Sequence, residues 1–235
     1  MAGVQNDGAH VFTPLGIRPV DEVLPGLVSG GFNLLEAPDA TAADVALAHF
    51  LDHALKRGAR VAVVAFDEAQ WRLLQFANYG FDFCEAMDDD RLSYVYYRPT
   101  LSRALGGGAD YGALFNELRR LTGPVERIGF LTPEVMFNLE TDALARDSVG
   151  RFASSAGKLG ATALGVYVPD DSAGQTRLRT MGARLFAGAY EMKPVPGNSD
   201  VALRSLKGAL PASVRLSLLE GRGYVAAGGY ASEVA

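Results

Sequence analysis

The chain has 235 residues, 49% of them hydrophobic and 21% charged, which suits one large α/β domain or two small ones and supplies a core of normal size. Twenty-two Lys and Arg against 27 Asp and Glu leave a net charge of −5, so no global electrostatic pull draws the chain to nucleic acid. One cysteine, Cys84, excludes an internal disulfide framework; with no secretory leader pattern and no apolar run of membrane-spanning length, a soluble cytoplasmic protein without membrane association is expected.

Residues 1–13 are polar and irregular and read as a flexible N-terminus; the main domain is expected over 14–230, with 231–235 as a tail. A helical turn at Pro19–Leu24 and Gly-rich connectors lead into a strand at Phe32–Glu36, which stops at Pro38. A helix is predicted from about Ala42 to Lys56, because Val45, Leu47, Ala48, Leu51 and Leu55 recur at helical spacing and Gly58 suits its C-terminal cap. Arg60–Phe66 is a continuous apolar run, as a parallel strand covered on both faces requires. Strand, helix and strand within about 35 residues make a βαβ unit.

A helix near Ala69–Tyr79, a strand at Leu92–Tyr97, a helix at Tyr111–Leu121, a strand at Arg127–Leu131, a helix at about Asp142–Leu159 and a strand at Ala161–Val168 continue the alternation. The acidic triplet Asp88-Asp89-Asp90 reads as a solvated loop and Gly106-Gly107-Gly108 as a flexible connector. The last region changes character. Arg184–Met192, Val201–Leu206, Val214–Glu220 and Gly223–Ala227 read as short strands between Pro and Gly turns, an antiparallel extension.

Isolated chemistry-bearing residues are weak signals. His49 and His53 share a helical face four residues apart, as zinc ligands often do, but no third ligand lies nearby and no metal is expected. Cys84 has no recognisable partner and reads as an idle thiol. Tyr94, Tyr96 and Tyr97 with Arg91 and Arg98 have the composition of a base-stacking surface, but strand alternation explains them equally and the acidic triplet opposes phosphate. Trp71 reads as a packing residue.

Three stretches, in order and at matching intervals, resemble the KaiC-like branch of the RecA superfamily of P-loop ATPases. They are Gly16-Ile17 with Asp21-Glu22-Val23-Leu24-Pro25-Gly26-Leu27 and Gly30-Gly31-Phe32; Leu55 to Glu68 followed by Leu73-Leu74 and Tyr79-Gly80-Phe81-Asp82; and Leu203-Arg204-Ser205-Leu206-Lys207-Gly208 with Gly221-Arg222-Gly223-Tyr224-Val225. The resemblance implies a RecA-like, mostly parallel central sheet flanked by helices, with an antiparallel C-terminal extension, and a phosphate loop between the first strand and the first long helix.

At that loop the family's G-x-x-x-x-G-K-[ST] pattern is Ala37-Pro38-Asp39-Ala40-Thr41-Ala42-Ala43-Asp44, without either glycine, the lysine or the hydroxyl. Thr41-Ala42-Ala43-Asp44 has the form of a capping box, with Thr41 as the expected N-cap and Asp44 turned back to it. Asp39 and Asp44 would answer the positive end of the helix dipole and repel a triphosphate, by about 1 to 4 kcal/mol per close charge pair. Leu131 stands where the resemblance places the magnesium-ordering aspartate, while Asp67 and Glu68 match its strand-end carboxylates. Lys207 matches a basic residue that reaches a neighbouring subunit, although Ala209 replaces the arginine expected two positions later.

The expectation is thus a pseudo-ATPase without cofactor, metal or catalytic residues, acting in regulation or scaffolding through homo-oligomerisation or a protein partner. One alternative is a nucleic-acid-binding module built on an ATP-independent RecA-like assembly. The other is an enzyme with a repurposed pocket, with Asp39, Asp44, Asp67 and Glu68 as its candidate acids.

Overall fold

The computed structural model describes residues 11–65, 76–96, 116, 119–120, 123–131, 133, 150–151, 154, 158, 160–169, 184–207 and 213–227. Eleven strands are described: β1 (Phe12–Thr13), β2 (Leu27–Val28), β3 (Phe32–Glu36), β4 (Val61–Ala65), β5 (Leu92–Tyr96), β6 (Arg127–Leu131), β7 (Thr162–Tyr167), β8 (Gly188–Pro194), β9 (Val201–Ser205), β10 (Ser213–Leu219) and β11 (Gly223–Ala226). The described helices are α1 (Arg18–Asp21), α2 (Ala40–Leu55) and α3 (Cys84–Asp88), with a 3-10 turn at Phe76–Tyr79.

Nine strands form one sheet in the order β11-β10-β9-β8-β3-β7-β6-β4-β5. From β8 to β5 every pairing is parallel, and from β8 to β11 every pairing is antiparallel. The sequence explains the division. β3, β4, β6 and β7 are buried at every position, as strands covered on both faces must be. β10 instead alternates buried Val214 and Leu216 with exposed Ser213 and Arg215, the period-two pattern of a strand with one dry face.

α2 leaves β3 and lies over β7 and β6 before the chain enters β4. Leu47 fits against Gly129 of β6, where a Cβ would stand 2.8 Å from the Leu47 Cδ1. On this face Leu35, Val45, Leu51, Leu131, Leu164 and Val166 join Met192, Leu203 and Leu216 of the extension in one hydrophobic core. Each fully buried side chain of this size contributes about 1.5–3 kcal/mol. On the other face Phe32 packs against Phe130 and Phe186, with ring centroids 5.2 and 4.6 Å apart.

Several boundaries differ from the sequence reading. Within the stretch expected to be loose, β1 pairs with β2, and the Thr13 hydroxyl meets those of Ser29 at 2.6 Å and Thr162 at 3.0 Å. β8 starts at Gly188 rather than Arg184; Gly188 lies against Asn33, where a Cβ would stand 2.3 Å from Asn33 Oδ1. α3 has no counterpart in the sequence reading. Of the helix expected at Ala69–Tyr79 only the 3-10 turn is described; the glycine triplet 106–108, Tyr97, Arg98 and Trp71 lie outside the described residues, as do most of the helices expected at 111–121 and 142–159.

Candidate functional site

The candidate site is the turn from β3 into α2, at the carboxyl end of the parallel strands, where open α/β sheets bind ligands. Its peptide donors can be followed one by one. Ala37 N–H bonds the Tyr167 carbonyl at 2.9 Å and so continues the sheet, and Pro38 has no N–H. α2 then begins at Ala40, three residues into the eight-residue stretch compared with the phosphate loop.

The capping box expected from Thr41 and Asp44 is not what starts the helix. Asp39 is the N-cap, with extended backbone (φ −154°, ψ 171°), and its Oδ1 accepts the Ala42 N–H at 2.8 Å. Thr41 therefore sits inside the first turn. Asp39 wins because the helix starts two residues earlier than its apolar periodicity suggests, and an aspartate before that start satisfies a first-turn donor and complements the dipole. Replacing Asp39 by Ala is expected to lower stability by about 1 kcal/mol, measured by urea unfolding.

Other members of the stretch face inward. Ala37, Ala42 and Ala43 belong to the core and Asp44 is buried, while Asp39, Ala40 and Thr41 are exposed and Pro38 is partly so. Leu131 ends β6 fully buried, in register with Val166 on one side and Ala65 on the other. Asp67 and Glu68 lie outside the described residues.

A pair of residues missed by sequence reasoning lies beside the turn. Glu36, the last residue of β3, is buried and accepts a 2.7 Å hydrogen bond from the Tyr167 hydroxyl. Glu36 is in register with Glu191 of β8, and Glu191 with Arg204 of β9. Arg204 Nη2 and Lys193 Nζ approach Glu191 at 2.6 and 3.1 Å. Burial opposes the charge of Glu191, but hydrogen bonds from Arg204 and Lys193 outweigh it and hold the carboxyl below its usual range. The sequence signal was a glutamate closing a strand whose only other polar residue is Asn33.

Lys207 is placed at the opposite end of the strands. Its ammonium bonds the Phe186 carbonyl and its N–H the Ser205 hydroxyl, so one chain does not bring it to the β3–α2 turn. Burial lowers the Lys207 pKa. The two histidines turn to different partners. His53 Nδ1 lies 2.9 Å from Arg127 Nη2 and must accept, since a guanidinium only donates. His49 Nε2 accepts the Tyr224 N–H at 2.8 Å. Among the described residues no three His, Cys, Asp or Glu side chains gather to hold a metal ion, and no described helix is long and apolar enough to cross a membrane. Cys84 is exposed at the start of α3.

Comparison with solved structures finds a KaiC-like protein from the hyperthermophilic archaeon Pyrococcus horikoshii OT3, superposing with a TM-score of 0.70 over 93% of this chain and 100% of that one. The fold is RecA/KaiC-like. Sequence identity is 14%, so the likeness is one of architecture. No family model and no curated relative matches the sequence. The β3–α2 turn lies at the carboxyl end of β3, and Leu131, at the end of β6, lies two strands away.

Proposed function

We propose that this chain is a RecA/KaiC-like domain without ATP turnover, acting as a regulatory or scaffolding protein through self-assembly or a protein partner. The observation that carries this reading is the Asp39 carboxylate on the first turn of α2. A phosphate held at a helix start needs free N–H groups and a loop wide enough to wrap it. Here the helix begins at Ala40, the Ala42 donor is taken, and a negative charge stands at the point of approach. Two further features support the reading. Ala43, which the sequence resemblance sets at the lysine position, is buried, and Leu131, which it sets at the magnesium position, belongs to the hydrophobic core.

Titration calorimetry with ATP and ADP in the presence of magnesium is expected to give no binding. Light scattering on nucleotide-free protein is expected to give a mass above the 24.9 kDa of one chain, or that of one chain if a different protein is the partner. A dissociation constant below about 10 μM, equivalent to about −7 kcal/mol, overturns the loss of the nucleotide site.

A further inference from the structure

We infer that His49 is a proton-sensitive latch, which fastens the C-terminal hairpin β10–β11 to the middle of α2 and lets it go when Nε2 takes up a proton. Nε2 accepts the backbone N–H of Tyr224 at 2.8 Å, so the ring's proton sits on Nδ1. The imidazole is therefore neutral in one defined tautomer. Phe81 meets the ring edge-on at 4.7 Å, and the Tyr224 ring stacks at 6.2 Å. One side chain thus ties α2 to two segments remote in sequence: the segment at Phe81 and the hairpin at Tyr224.

The hairpin comes close to this ring. Gly223 has φ +65°, and a Cβ there would stand 2.4 Å from His49 Nε2. A proton on Nε2 sets one N–H against another, with no acceptor between them. Nearby charges offer little relief. Lys56, the C-cap of α2, is a like charge, and Asp52 is paired with it at 2.7 Å. In the lead-in Asp21 binds the N–H groups of Leu15 and Gly16 at 2.7 and 2.9 Å, and on β6 Arg127 is a second cation, bonded to His53. Tyr79 and Asp82 flank Phe81, Asp82 accepting the Cys84 N–H at 3.0 Å, and Tyr224 is the titratable group of β11 itself. Burial, foremost, lowers the His49 pKa from 6.5 to about 4.

Release would reach the candidate site. Burial chiefly, then the Asp39 charge at the cap of α2 and Tyr79, raises the Tyr224 phenol's pKa. A ring that titrates near 6.5 when released and about 4 when docked makes opening about 20-fold more frequent at pH 5 than at pH 7. Amide exchange on the whole chain tests this. After correction for intrinsic rates, protection of Tyr224 and Val225 is expected to fall about 20-fold over that range while Val63 and Val64 of β4 hold theirs. The His49→Gln variant, which cannot titrate, is expected to lose the pH dependence. Nitrogen shifts of the wild-type imidazole at pH 7 are expected to show Nε2 unprotonated. Equal loss of protection in hairpin and β4, no loss at all, a retained pH dependence in His49→Gln, or a proton on Nε2 at pH 7 overturns the latch. If His49→Gln does not fold, the two wild-type measurements decide.

Discussion

Gly16→Ala is expected to unfold in urea with a stability about 4 kcal/mol below that of the unaltered chain. Gly16 has φ +88°, where an L side chain costs about 1–2 kcal/mol. Its Cβ would also lie 2.3 Å from the His49 carbonyl oxygen and 2.8 Å from His53 Cβ. That oxygen belongs to the middle of a sixteen-residue helix, so relief requires moving either α2 or the lead-in, and overpacking of this kind costs about 1–3 kcal/mol more. Gly30 is the control. It has φ +69°, and a Cβ there would meet nothing within 4 Å, so Gly30→Ala is expected to lose only the backbone term, about 1 kcal/mol. Equal losses at the two positions would show that α2 yields easily to the lead-in.

Asn33→Asp is expected to cost about 4 kcal/mol at pH 7, although it changes one NH₂ for an oxygen. Asn33 is fully buried in β3. Its Oδ1 accepts the Val28 N–H at 2.9 Å, and its Nδ2 lies 3.0, 3.3 and 3.2 Å from the carbonyls of Val28, Gly31 and Ala163. A carboxylate keeps the first bond and points its second oxygen at three acceptors. The variant's carboxyl therefore has a raised folded pKa, so its deficit is largest above that value and shrinks as pH falls toward the unfolded value near 3.9. Urea unfolding at pH 7 and pH 4.5 checks both parts. A deficit under 1 kcal/mol at pH 7, or one that grows in acid, contradicts this account of the Asn33 bonds.

Most of the sheet was legible because burial dictates its composition. β3 and β6 follow the expected bounds, since Phe32–Glu36 and Arg127–Leu131 are short, mostly apolar stretches followed by Pro38 and Pro133. The cap of α2 was less legible. Periodicity locates the apolar face of a helix, but Ala40 and Thr41 are exposed and add nothing to that pattern, so the true start and its Asp39 cap were hidden. Contacts between distant segments left even less trace. Nothing at Glu36 announces Tyr167, 131 residues away, and nothing in the His49–His53 spacing shows that one ring turns to Tyr224 and the other to Arg127. Spacing along a helix fixes which face a residue shares; the partner across that face is chosen by the tertiary fold.

The place of β3 in the sheet has a consequence for how the chain is made. β3 leaves the ribosome first among the nine strands, yet its two neighbours are β7 and β8, with Phe32 beside Ala163 and Asn33 beside Gly188. About 130 residues must therefore be synthesised before its backbone finds a first partner strand, which at about 5–20 residues per second leaves an apolar segment unpaired for some 7 to 26 seconds. Closing so long a loop is slow, and until it closes both edges of Phe32–Glu36 lack their partner strands.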